Sequence, residues 1–244
     1  MVIRFNNFEF RTHFIALLVV LALLIFLISL GVWQLSRAEQ KRELEKLYMG
    51  SDQQSYLRAE QVEDRWHELR YRELRVSGRY ETDKQILLDN QVNRGRIGYH
   101  VFTPLKIGKH EWVLVNRGWV SADEDRRKLP AIDIAPSARK VVGLINHPPG
   151  VGVRIGSLDQ AKHGFPLRIP YLDINWLEKR LNIKLKPYVL LLIPGEVDGY
   201  IRQWHPVVFP PERNEAYAVT WFALAAALII LYMFSTIRRT PRTE

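Results

Sequence analysis

The chain has 244 residues, a formal net charge of +9 and no cysteine. The missing thiol excludes disulfide staples, thiolate-ligated zinc or iron–sulfur clusters, c-type haem attachment and cysteine catalysis. Length suits one domain or two small ones. However, the charge-free apolar runs Phe14–Leu35 and Ala216–Ile237 each match the roughly 20 residues a helix needs to cross hydrocarbon, which excludes a simple soluble globule.

In chain order, residues 1–13 form a short tail before a first transmembrane helix at 14–35. A cleaved signal peptide has an apolar core of about 7–15 residues and a small-residue cleavage site. This core is longer and ends in Leu30-Gly31-Val32-Trp33-Gln34-Leu35, so it reads as a retained anchor. Residues 36–213 form the middle domain, whose basic excess suits a surface facing anionic lipid or a carboxylate-bearing ligand. With no RNP-like strand and no basic helix with a fold around it, nucleic acid is not an expected partner. A second transmembrane helix spans 214–237, and 238–244 is a basic tail carrying Arg238, Arg239 and Arg242. Such a cluster stays cytoplasmic under the positive-inside rule. Two spans then put both termini in the cytoplasm and Ala38–Arg213 outside it, across a bacterial inner membrane or the mitochondrial inner membrane.

Ser36–Leu47 continues with helical character beyond the first span. From Tyr71 the pattern turns strand-like. Leu74, Val76 and Tyr80 alternate with polar residues, and further strands are expected at Gln85–Val92, Tyr99–Ile107, Trp112–Val120, Lys140–Asn146 and Tyr188–Ile193. Glycine turns at Asn93–Gly98 and Gly108-Lys109, with no helices between the early strands, predict an antiparallel sheet or small barrel. Asp173–Asn182 reads as one short helix, with Asp173 as its cap, Ile174, Leu177 and Leu181 as its apolar face and Asn182 as its stop. The Asn116-Arg117-Gly118-Trp119-Val120 block is expected to end a strand and turn the chain, with Trp119 packing on the sheet and Gly118 admitting a neighbouring backbone. The fold class is two transmembrane α-helices flanking, in sequence, an α+β, β-rich extramembrane domain.

Enzyme signatures are absent: no G-x-S-x-G, H-E-x-x-H or Walker A loop occurs. The seven histidines, at 13, 67, 100, 110, 147, 163 and 205, show no metal-ligand spacing. Only His205, in Trp204-His205-Pro206, approaches the outer membrane face. At that face Trp33 and Arg37 fall at i, i+4 on the first span, and Asn214, Tyr217 and Trp221 at i, i+3, i+7 on the second. If the spans pack together, two indoles, a phenol, the amides of Gln34 and Asn214 and a guanidinium converge at one depth. One reading is an aromatic belt with helix packing. The other is a site for a flat apolar ligand bearing carboxylates, stacked on the rings and gripped by Arg37.

At these residues the sequence resembles the Surfeit locus protein 1 family of cytochrome c oxidase assembly factors. Leu30-Gly31-Val32-Trp33-Gln34-Leu35-Ser36-Arg37, followed by Lys41, is similar to the family's motif at the end of its first span. Val92–Tyr99 with Thr103-Pro104-Leu105, then Asn116–Val120, then Tyr217-Ala218-Val219-Thr220-Trp221-Phe222 are similar to its later blocks, in the same order. The resemblance implies a non-enzymatic factor that helps build the haem a-containing subunit I, with subunit I, haem A synthase and membrane lipid as partners and haem a as a transient cofactor. It implies Trp33, Gln34, Arg37, Tyr217 and Trp221 as cofactor-binding residues. One position departs. The family commonly carries histidine three residues before the tyrosine of its second-span motif, and here that residue is Asn214. An amide is a poor iron ligand, so axial ligation is not carried over, and His205 is the residue that could take its place. A haem-free scaffold steadying an oxidase intermediate is the alternative.

The topology has a direct check. Alkaline phosphatase fused within Ala38–Arg213 is expected to be active and fused after Glu244 inactive; activity at the C-terminus would overturn the orientation.

Overall fold

The computed structural model describes residues 2–5, 8–11, 14–50, 56–62, 65–150, 158, 164–204 and 209–239. The chain forms two compact units, Met1–Lys46 with Pro206–Glu244, and Leu47–His205.

The first unit is a pair of helices. Strands β1 (Val2–Phe5) and β2 (Phe8–Arg11) precede helix α1 (Phe14–Met49). Because α1 is a single helix, the predicted apolar span and the charged segment after it are continuous. At about 1.5 Å per residue its charge-free part is about 33 Å long, enough for a bilayer core. Almost none of that apolar stretch is covered by protein, and Phe14, Ile15, Ile25 and Phe26 stand exposed. A soluble core helix would bury these side chains, so lipid is the solvent that fits them.

The second unit contains strands β3 (Glu73–Tyr80), β4 (Ile86–Asn93), β5 (Arg96–Lys106), β6 (Trp112–Ser121), β7 (Ala138–Asn146) and β8 (Leu167–Ile169), helix α2 (Ile174–Leu181) and strand β9 (Leu185–Leu192). The sheet order is β3-β7-β9-β6-β5-β4-β8, and β3 also pairs with β5 through Arg79↔Lys106 and Tyr80↔Leu105. That pairing closes β3, β7, β9, β6 and β5 into the small barrel anticipated from the strand pattern. A methyl group on Gly78 would collide with the Lys106 carbonyl at this closure. The sheet is mixed rather than wholly antiparallel: β6 pairs with β9, and β4 with β8, in parallel. Parallel neighbours need a long crossover, here supplied by the chain through β7, β8 and α2. Helix α2 is capped as expected. The Asp173 carboxylate accepts from the Trp176 N–H at 3.0 Å, and Asn182 stops the helix in the left-handed region at φ 52°.

Returning to the first unit, helix α3 (Pro211–Thr236) is followed by β10 (Ile237–Arg239), which pairs with β2. Only the last residue predicted in the second span, Ile237, therefore lies in strand rather than helix, and the two tails meet at one end of the helix pair.

The larger core cluster gathers Leu74, Val76, Tyr80, Leu105, Val113, Val115, Val141, Ile145, Tyr188 and Leu190 from the barrel strands. A smaller one joins Leu87, Tyr99, Val101 and Ile132, with Tyr200 packed against it. Arg117 continues the Val113–Val115 face of β6 to where the two clusters meet, and it is 1% exposed. Its Nε donates to the Asp198 carbonyl at 2.8 Å. Its Nη1 donates to Gln85 Oε1 at 2.8 Å and to the Ile132 carbonyl at 3.2 Å. Burial lowers its pKa, while Tyr200 and Tyr80 favour the charged form.

The Asn116–Val120 block closes β6, which ends at Ser121 as expected, and it also carries a bulge. Trp119 pairs with His100 and Asn116 with Phe102, so two residues of β6 oppose one of β5. Asn116 Oδ1 accepts from the Gly118 N–H at 3.1 Å and fixes the distortion. Gly118 has φ +117°, and a Cβ there would lie 2.8 Å from the Ile201 carbonyl. The backbone approach expected of Gly118 is thus present, its neighbour being Tyr200–Ile201. The Tyr200 N–H donates to the Arg117 carbonyl at 2.7 Å. Trp119 packs as expected, and its Nε1 donates to the Gln91 carbonyl at 2.8 Å.

Gly118→Ala is expected to destabilise the protein by about 1–3 kcal/mol, from φ strain and overpacking combined. Thermal or denaturant unfolding checks this. Normal stability with defective oxidase assembly would instead make the block part of a functional surface.

Candidate functional site

Small residues create the contact between α1 and α3. The buried residues of α1 are Gly31 and Ala38, and those of α3 include Ala218 and Ala225, each pair seven residues apart. Such a stripe lets two membrane helices approach closely and gain packing energy where lipid leaves no hydrophobic drive. A Cβ on Gly31 would lie 2.5 Å from the Phe222 ring, so the glycine makes room for that ring.

A polar ladder closes one end of this seam. Asn214 Nδ2 donates to Gln34 Oε1 at 2.6 Å, and Lys41 Nζ donates to Asn214 Oδ1 at 2.5 Å. Arg42 pairs with Glu215. Because Gly31 meets Phe222, Lys41 meets Asn214 and Arg42 meets Glu215, the helices run antiparallel. With about 100° between successive residues, Gln34, Arg37 and Lys41 turn to one side of the seam, with Trp33 further round. Asn214, Tyr217 and Trp221 turn to that same side of α3, while Arg42 and Glu215 close the other. Trp33 is roughly level with Trp221, and Arg37 with Tyr217.

Five of the six predicted positions therefore flank one side of the seam, Trp33 lies towards the back of α1, and among the six only Gln34 and Asn214 bond to each other. Trp33 is 54% exposed and Tyr217 is 47% exposed, with Trp221 half-buried. The exposed Arg37 donates through Nη1 to Gln40 Oε1 at 3.0 Å. That uses one of its five N–H donors and leaves the guanidinium able to take a carboxylate. Arg213 lies 6.0 Å from the Tyr217 ring centre. The residue proposed as a displaced ligand, His205, lies outside the described residues. Sequence reasoning missed the Arg42–Glu215 pair and the part Lys41 plays on Asn214. The available signal was the seven-residue repeat Gly31/Ala38 and Ala218/Ala225, which marks the seam and hence its flanks.

Chemically, this side offers the rings of Tyr217 and Trp221 and the guanidinium of Arg37 within about one helical turn. It suits a flat, apolar ligand with an acidic edge. It does not supply an axial ligand at Asn214, because both polar atoms of that amide are already bonded across the seam. The fold and site define a membrane-anchored, two-helix protein with a β-rich extramembrane domain. The SURF1 family model matches residues 21–226, and the chain belongs to that family. It is similar to the SURF1-like protein of Rickettsia felis, 26% identical over 231 residues covering 88% of this chain and 94% of the relative. It is also similar to those of Rickettsia bellii, 26% identical over 230 residues and 88% of each chain, and Rickettsia prowazekii, 26% identical over 225 residues covering 88% and 86%.

Because the chain is free of cysteine, the seam can be tested without background. Gln34→Cys with Asn214→Cys is expected to cross-link in native membranes, whereas Trp33→Cys with Val219→Cys, which point away from each other, should not. The reverse pattern would reject this helix register.

Proposed function

We propose that the protein is a cytochrome oxidase assembly factor that holds haem a at the outer end of its helix pair for insertion into subunit I. Membership of the family supports a role in oxidase assembly in general. The observation that supports the finer reading is that Arg37, Tyr217 and Trp221 flank the same side of the seam within about one helical turn, with Trp33 further round α1. In this reading the indoles and phenol stack on the macrocycle, Arg37 grips a carboxylate as a fork, and Gln34 orients Asn214. Haem A synthase is the donor and subunit I the acceptor. The arginine-rich C-terminal tail supports an inner-membrane protein with both termini cytoplasmic. The full engagement of the Asn214 amide favours a second reading, a haem-free scaffold that steadies subunit I.

Spectra of detergent-purified protein co-expressed with a haem A synthase separate the two. Arg37→Ala is expected to weaken haem binding about ten- to a hundredfold, the loss of one charge-assisted contact. Arg37→Lys should restore part of it, since an ammonium cannot grip a carboxylate as a fork. If Arg37→Ala and Trp221→Ala both leave oxidase haem content normal at normal protein levels, the cluster is a membrane anchor and the haem reading fails.

A further inference from the structure

Outside the helix pair, the fold brings together two histidines that lie 80 positions apart in the chain. His67 follows the 3₁₀ turn Ala59–Gln61, and His147 immediately follows β7. Their ring centres lie 5.6 Å apart with the planes tilted by 45°. Trp66 packs against both, 3.6 Å from His67 and 4.9 Å from His147, centre to centre. Trp66 itself packs on the barrel core, 6.2 Å from the Tyr188 ring.

Asn146 holds the second histidine from below. Its Oδ1 accepts from the His147 backbone N–H at 2.9 Å and from Arg70 Nε at 2.9 Å. The first imidazole is exposed and the second half-buried, so the pair opens to solvent on one side.

We propose that His67 and His147 form a two-histidine site for a divalent late-transition metal ion, on the β-rich domain and independent of the haem reading. The geometry fits. Two imidazoles bound at about 2.0–2.1 Å with a tetrahedral angle at the metal put their ring centres about 5.2 Å apart. The observed separation is within half an ångström of that value, a change that side-chain rotation alone supplies. Imidazole is the donor that suits zinc, copper and nickel among common ions. Metal binding requires the neutral ring. Among the described residues no group of three ligating side chains occurs. Among those residues the pair therefore supplies two donors, and the remaining coordination positions fall to water or to another donor.

Nothing in the sequence announces this pair, because its members meet only when β7 is laid beside β3 and the turn before it. The neighbouring aromatic supplies an internal reporter, since a paramagnetic Cu²⁺ ion in contact with both rings would quench the indole of Trp66.

The test uses the full chain, stripped with chelator and reconstituted in nanodiscs, titrated separately with Zn²⁺ against a chromogenic chelator and with Cu²⁺ by tryptophan fluorescence. One equivalent of Zn²⁺ is expected to bind, with affinity falling at least tenfold in His67→Ala and in His147→Ala and unchanged in His110→Ala. Trp66→Phe is expected to keep Zn²⁺ affinity and to lose most of the Cu²⁺ quenching, a result that unfolding would not imitate. His67→Gln, which keeps the size of the side chain, guards against loss through misfolding and should also fail to bind. Wild-type affinity in both alanine variants, or no competition by the wild-type chain, would overturn the proposal.

Discussion

A polar side chain between two helices at the edge of hydrocarbon cannot turn to water, so its partner has to come from the other helix. That constraint organises the helix pair. Gln34 and Lys41 on α1 both converge on the single amide of Asn214, which donates to one and accepts from the other. The small residues along the rest of the seam supply close packing but little rotational preference. The ladder adds that preference, and the side on which the aromatic rings stand follows from it. A hydrogen bond across membrane helices is worth only about 1 kcal/mol on average, so its contribution lies in register more than in depth of binding.

The β-rich unit solves the opposite problem, a charge inside a core. Arg117 is surrounded by carbonyl, amide and hydroxyl acceptors drawn from four separate segments. A guanidinium with its donors filled is tolerated there, whereas the acceptors left by its removal would be stranded. The bulge at Gly118 belongs to the same arrangement, since it brings Tyr200 within reach of the arginine backbone while Asp198 takes the side chain.

Period and cap chemistry made much of this readable in advance. Alternation at Leu74, Val76 and Tyr80 marks β3, the run Trp112–Val120 marks β6, and Asp173 with Asn182 bounds α2 at both ends. What local pattern does not carry is pairing. The three residues of β8 are too few for a period. The parallel partnership of β6 with β9 depends on a crossover that no turn signal encodes. Arg117 looks like any surface arginine until the bulge turns it inward. In the helix pair the spacing of Trp33, Arg37, Tyr217 and Trp221 places them on stripes. That the stripes share a side depends on the seam, which Gly31 and Phe222 define only by meeting.

The bonds of that seam span very long loops: Asn214 reaches Gln34 across 180 residues and Lys41 across 173. Synthesis makes α1 long before α3, and the whole sheet domain is translated between them. During that interval the first helix stands in the membrane with its amide and ammonium unanswered. Only arrival of the second helix relieves them, and the pairing of β10 with β2 then ties the ends. Closure of the helix pair thus depends on the second helix having been made, and a chain without it would leave exposed in the membrane the polar groups that the closed pair conceals.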